Sequence, residues 1–310
     1  MPTTSDAGLS PATVESTAGL CAGTVATLVV HPLDIVKTRM QIHRGKRPTT
    51  MAVLRSLSST AQPLASLYRG LTPNLVGSAA GWATFFSAKA RAERLLAGPG
   101  GNPSAGETFV ASAGAGAATA ALTNPVWVLK TRMLSTDRGA AGAYPSMAAG
   151  ATAVWRTEGW RGFYRGLAVS LLGVSHGAVQ FAVYEPTKRM YLSRRKRRRR
   201  RRRRQNDDDD DDDDDAYLPT EATMALSTGA KLVAGAVTYP YQVLRSRLQN
   251  QWADERFGKG IVAVVANTWR MEGIGGFYRG LVPGVVRVMP ATWVTFLVYE
   301  KVKYYLPRMW

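Results

Sequence analysis

The sequence predicts an all-α membrane protein of six transmembrane helices, arranged as three pseudo-symmetric repeats around a central cavity, with short helices at one end. The main observation is one phrase written three times. His31-Pro32-Leu33-Asp34-Ile35-Val36-Lys37-Thr38-Arg39 recurs as Asn124-Pro125-Val126-Trp127-Val128-Leu129-Lys130-Thr131-Arg132 and as Tyr239-Pro240-Tyr241-Gln242-Val243-Leu244-Arg245-Ser246-Arg247. The prolines are evenly spaced once the low-complexity run Arg194–Asp215 is set aside. A period this long, longer than a solenoid unit, marks a sizeable module. Each module also carries two segments of membrane-spanning length.

Segments free of Asp, Glu, Lys and Arg run 16–33, 71–88, 108–129 and 167–184. Eighteen residues of helix cover about 27 Å, close to the thickness of a bilayer core. The third repeat is more polar: Lys231 interrupts 222–244 and Arg287 interrupts 281–299. Small residues crowd the first segment of each pair, as expected where membrane helices approach closely. The organisation is therefore an N-terminal segment 1–15, repeats 16–99 and 100–193, a low-complexity Arg/Asp loop 194–215 expected to be disordered, and a third repeat 216–310.

Pro32, Pro125 and Pro240 are expected to kink their helices, since an interior proline removes a backbone hydrogen bond. The helical pattern continues past each proline without a turn residue, which argues against a simple helix end. Three such kinks draw the lower halves toward one axis.

Composition narrows the function. The chain has 310 residues and a net charge of +18, a balance that suits nucleic acid, anionic lipid or an anionic substrate. A mean hydropathy of −0.13 looks soluble, but the Arg/Asp run depresses it. Cys21 is the sole cysteine, so an internal disulfide and a thiolate zinc cluster are excluded. His31, His43 and His176 are scattered without metal or triad spacing, and no phosphate-binding glycine loop is present, so an enzyme is the least supported class. The first fifteen residues hold Asp6 and Glu15 but no Lys or Arg, and read as neither a secretory signal nor a transit peptide. In the Arg/Asp run a basic block faces Asp207–Asp215, so the two can neutralise each other. A basic-tract protein binding nucleic acid or lipid is the rival class of function, and nucleic acid is not expected as a partner.

A second triplet follows each kink: Tyr68-Arg69-Gly70-Leu71, Tyr164-Arg165-Gly166-Leu167 and Tyr278-Arg279-Gly280-Leu281. Free N–H groups at a helix start, beside an arginine and an interfacial tyrosine, suit a lipid phosphate. Simple helix anchoring would use the same residues.

Pro-x-(acid)-x-x-(Lys/Arg)-x-(Lys/Arg), repeated three times, resembles the mitochondrial carrier family. The resemblance implies both termini on the intermembrane-space side of the mitochondrial inner membrane, a gate at each end, and alternation between two states without covalent chemistry. Cardiolipin is the implied lipid partner and a monomer the implied state. The implied matrix gate consists of Asp34 and Lys37, Trp127 in an acid position with Lys130, and Gln242 in an acid position with Arg245. That leaves at most one full salt bridge. Gln41 and Gln249 resemble the family's bracing glutamines, a pattern that Leu134 breaks. The implied cytoplasmic-side gate is Glu185 with Lys188 and Glu300 with Lys303, while Lys89-Ala90-Arg91-Ala92-Glu93 departs from it.

Unpaired cations around a cavity suggest a small anionic substrate. Lys231 lies eleven residues before Gln242, three helical turns plus roughly 20°, and so shares its stripe; snorkelling outward is the alternative. Arg287 is a second intramembrane cation, although its phase from Glu300 is about 140° off. Trp127 offers a flat ring for stacking on a planar group, or a bulky plug. The phrase around Asn124–Arg132 resembles the branch that handles folate, flavin nucleotide, nicotinamide nucleotide and pyrimidine nucleotides, and Lys231 with Gln242 and Arg287 narrows this toward folate or FAD. The expected function is transport of FAD or a related folate by alternating access, with NAD or a pyrimidine nucleotide as the alternative. No cofactor is expected; a bound flavin would be cargo.

Overall fold

The computed structural model describes residues 11–45, 48–98, 101, 103–206 and 219–309. Repeat one comprises α1 (Pro11–Ile42), α2 (Thr50–Ser58), α3 (Pro63–Leu67) and α4 (Leu71–Ala97). Repeat two comprises α5 (Ala105–Ser135), α6 (Met147–Phe163), α7 (Leu167–Leu172) and α8 (Ser175–Asn206). Repeat three comprises α9 (Thr220–Val237), α10 (Tyr239–Gln249), α11 (Ala253–Phe257), α12 (Gly260–Glu272), a 3-10 turn (Ile274–Tyr278), α13 (Leu281–Val286) and α14 (Val288–Met309). The described residues contain no strand.

The six long rods close into a ring, with α4 packed along α5, α8 along α9, and α14 back along α1. Buried faces on the odd rods are built from small residues at four-residue intervals: Ala18, Ala22 and Ala26 on α1, Ala111 and Ala115 on α5, Ala230 and Ala234 on α9. Small side chains let neighbouring backbones approach. Outward the pattern inverts, and large apolar side chains stand exposed on every rod, among them Leu20, Trp82, Phe109, Phe181, Val233 and Trp293. Such a surface suits hydrocarbon and not water.

By length and hydropathy, three stretches qualify as membrane spans: Val14–Ile42, Leu167–Arg197 and Ile274–Leu306.

Pro32 and Pro125 lie inside continuous helices. Pro240 instead opens α10, one turn-forming residue (Thr238) after α9 ends. In all three repeats the segment beyond the proline turns inward, and α1, α5 and α10 contact one another there. The second and third even rods are also broken, at Gly173-Val174 and at Arg287.

Beneath the rods each repeat has a small apolar core where a short helix docks. Leu57 of α2 packs with Ile35, Val36 and Met40; Val154 of α6 packs with Leu129 and Met133; Val264 of α12 packs with Leu248 and Phe257. Thr49 and Ser146 cap two of these helices through side-chain oxygens.

One difference from the sequence reading lies in the low-complexity run. The backbone of Arg194–Asn206 continues α8 as helix where a disordered loop is expected. Arginine is a good helix former, and an existing helix extends without a new nucleus. Asp207–Asp215 falls outside the described residues.

Candidate functional site

The residue before each proline anchors its odd helix. His31 Nε2 lies 3.0 Å from the Arg69 carbonyl, Asn124 donates to the Arg165 carbonyl at 3.3 Å, and Tyr239 donates to the Arg279 carbonyl at 3.1 Å. Three unlike side chains thus perform one task, tying each odd helix to the turn that starts the following even helix.

At the converging ends lies a cavity of about 340 Å³. Its lining holds Lys37, Lys130, Arg245 and Arg287 against Asp34, the one carboxylate among the described lining residues. The three repeats are linked cyclically by three different interactions. Asp34 of repeat one meets Lys130 of repeat two at 3.9 Å. Trp127 of repeat two holds Arg245 of repeat three over its ring, 5.7 Å from the centroid. Gln242 of repeat three accepts a hydrogen bond from Lys37 of repeat one at 2.9 Å. One leg is an ion pair, one a cation–π contact and one a neutral acceptor.

Two further residues complete the ring. Arg287 pairs with Asp34, so that carboxylate is shared between two cations. Arg287 lines the cavity although a simple helical wheel from Glu300 aims it away. Asn74 accepts from Lys130 at 2.8 Å and lies 3.5 Å from Asp34, bridging the weak pair. Asn74 is missing from the sequence reading; the available signal was an asparagine inside a charge-free span, four residues after Gly70.

A second tier lies directly beneath. Gln41 accepts from Ser246 at 2.7 Å and donates to Tyr239 at 3.1 Å, and Gln249 accepts from Thr131 at 2.9 Å. Both span a repeat boundary. At the third boundary Leu134 is fully buried in the apolar core of repeat one. The Tyr-Arg-Gly glycines abut this tier. Gly70, Gly166 and Gly280 have φ of 70°, 74° and 79°, and a Cβ there would meet Leu134, Gln249 and Lys37 O respectively.

The arginines of that triplet are tied to protein. Arg69 is buried and donates to the Met133 carbonyl at 2.7 Å. Arg165 pairs with Glu158 at 2.7 Å and Asp254 at 2.8 Å, and Arg279 pairs with Glu272 at 2.8 Å. Asp254 and Glu158 push Arg165 still higher than the usual arginine range, while burial beside Arg39 pulls Arg69 down. Glu158 and Glu272 also hold Arg132 and Arg247, both fully buried. Each carboxylate thus clips the end of an odd helix to the start of the next even one. In repeat one, which lacks this glutamate, Arg39 turns to Asp137 at 2.6 Å and Arg69 to backbone carbonyls.

At the opposite end no comparable closure exists. Glu185 lies 4.0 Å from Arg189 on its own helix, Lys188 stands over Tyr184, and Lys303 pairs with Glu15 of α1. No ion pair among the described residues joins Glu185 or Glu300 to Lys188 or Lys303. In repeat one Lys89 and Glu93 pair within α4 at 3.4 Å. Among the described residues, side chains link all three repeats at the proline end, while at the other end the link between rods from these positions is Lys303 with Glu15.

The threefold build is matched by known proteins. The family described as mitochondrial carrier protein matches residues 9–99, 101–195 and 218–310. The chain belongs to this family. It is 37% identical to the mitochondrial FAD carrier protein FLX1 of Saccharomyces cerevisiae, over 96% of this chain and 98% of that one. It is 33% identical to the mitochondrial nicotinamide adenine dinucleotide transporter 2 of Arabidopsis thaliana, over 91% of this chain and 77% of that one. It is also 33% identical to the chloroplastic folate transporter 1 of Arabidopsis thaliana, over 93% of each. As a carrier the protein is a membrane transporter of small anionic substrates; it is not an enzyme and needs no cofactor.

Of the carrier's expected substrate residues, Trp127 and Arg287 line the cavity. Lys231 stands exposed on α9, higher up and outside that lining, within electrostatic reach of His176, which does line it.

Proposed function

We propose that the protein carries FAD, or a folate of similar chemistry, across the mitochondrial inner membrane by alternating access. The observation that supports this most is the cavity floor, where four cations and one indole surround a single carboxylate. An anion bearing a fused planar ring meets both demands: its phosphates or carboxylates neutralise the cations, and its ring takes the aromatic surface. Arg287 and Lys231 hold the anionic groups at two depths, with Trp127 at the floor. The name of the FAD carrier above supports the flavin; those of the NAD and folate transporters support the broader class of planar anions.

In this reading the asymmetry of the two ends describes one half of the cycle. The matrix gate is the linked ring of Asp34, Lys130, Trp127, Arg245, Gln242 and Lys37; the cytoplasmic-side gate, with Glu185, Lys188, Glu300 and Lys303, is open. Bound anion competes with Asp34 for Arg287 and Lys130 and loosens the closed end. A carrier needs states of similar energy, and a gate whose ion pairs share a single carboxylate is weak enough to exchange. Cardiolipin is the proposed lipid partner. With the three arginines held by protein, the helix starts after Gly70, Gly166 and Gly280 are left as the donors for its phosphates. The carrier works as a monomer, since one chain closes its own ring.

The test is uptake into liposomes loaded with purified protein and offered labelled FAD, folates, NAD and pyrimidine nucleotides. FAD or folate uptake is expected; strong NAD or pyrimidine-nucleotide uptake with neither would reject the assignment. Lys231→Ala is expected to raise KM about tenfold, the loss of one charge-assisted contact. Unchanged KM would remove Lys231 from the path.

A further inference from the structure

We propose that Trp127 is a positioning residue of the matrix gate, closing the boundary between repeats two and three by holding Arg245 against its ring. Three observations carry this. Trp127 stands in the motif position where repeat one has Asp34, and Asp34 faces the cation of the next repeat, Lys130. By the same cyclic rule the residue facing Trp127 is Arg245, and the guanidinium lies over the indole at 5.7 Å. Lys130, one helical turn along α5, also stands over that ring at 4.8 Å. The indole is fixed in turn: its N–H donates to Thr123 at 3.1 Å, and Gly77 leaves room for it on α4.

A cation over an aromatic face is a favourable contact without a second formal charge. That matters at this boundary. An acid in place of Trp127 would give the gate two buried ion pairs and a deeper closed state; an aliphatic residue would leave Arg245 with no counterpart on α5. The indole gives an intermediate link that breaks without stranding a carboxylate in the open state.

The role depends on the carrier gate but on no particular cargo, so its test avoids transported substrate. Cys21→Ser with His176→Cys places one reporter thiol in the cavity lining within reach of Lys231, on the far side of the gate from the matrix. In inside-out membrane vesicles, a membrane-impermeant maleimide reaches this thiol only when the matrix gate opens. Trp127→Phe is expected to label at the parent rate, because the aromatic face remains. Trp127→Leu and Arg245→Gln should each label about tenfold faster, and the double variant no faster than either alone, since both remove one contact (tenfold being about 1.4 kcal/mol). Trp127→Glu should label more slowly than Trp127→Gln, since only the acid supplies an ion pair to Arg245. Equal labelling of the Phe and Leu variants, multiplicative effects in the double variant, or equal rates for Glu and Gln would each overturn the proposal. FAD uptake is a separate measurement, and its failure leaves the labelling result intact.

Discussion

Gln242 shows how much the gate depends on a single atom. Its side-chain oxygen accepts from Lys37 at 2.9 Å, in a position where an acid would make an ion pair. Gln242→Glu is expected to strengthen the closed state, with the added charge–charge attraction partly offset by the cost of desolvating the new carboxylate. Turnover in liposomes should fall by about tenfold for each 1.4 kcal/mol gained, while the unfolding temperature in detergent rises. Faster turnover would mean that closing is not limited by this leg. The sequence shows the position of Gln242 through the repeat, but its partner Lys37 comes from another repeat. It does not show Asn74, because Asn74 lies on α4 and meets Asp34 and Lys130 only when three helices converge.

At the scale of elements, the repeat is held by clips between the end of one helix and the start of the next. Glu272 pairs with Arg247 at 2.6 Å and with Arg279 at 2.8 Å, all three buried. Removing it with Glu272→Ala leaves two buried guanidinium groups short of their counter-charge. This should cost about 3–5 kcal/mol, read as a large drop in the unfolding temperature in detergent. A near-neutral result would show that water or lipid replaces the carboxylate. Gly280 tests the approach of helices directly: its φ is 79°, and a Cβ would lie 2.8 Å from the Lys37 carbonyl oxygen. Gly280→Ala therefore combines a left-handed backbone penalty of about 1–2 kcal/mol with a contact that side-chain movement cannot relieve. Thermal unfolding should register it more strongly than Gly284→Ala, where a Cβ meets side chains at 3.5 Å or more. The Tyr-Arg-Gly triplet was legible as a repeated element, but its arginines read equally as lipid ligands or as anchors. The groups that hold these arginines, Asp254 and the Met133 carbonyl among them, come from elsewhere in the chain.

For the whole molecule, the packed ring of rods accounts for the membrane domain. α8 runs 32 residues, longer than a bilayer core requires, with its arginine-rich part at the far end. Because α8 and α9 pack side by side, a short connection can join them. Deleting 194–215 is therefore expected to leave the rate and KM of uptake unchanged. A lost activity would place that run inside the mechanism.

The sequence by itself determined the threefold build and the six rods, because these follow from periodicity and from apolar segments of spanning length; the two gates it offered only through the family resemblance. Only the tertiary structure decided which end is closed, how three unlike side chain pairs complete one ring, and that Arg287 shares Asp34 with Lys130. The physical reason is distance along the chain: each of those links joins different repeats, and local patterning carries no information about such a partner until the helices bend toward a common axis.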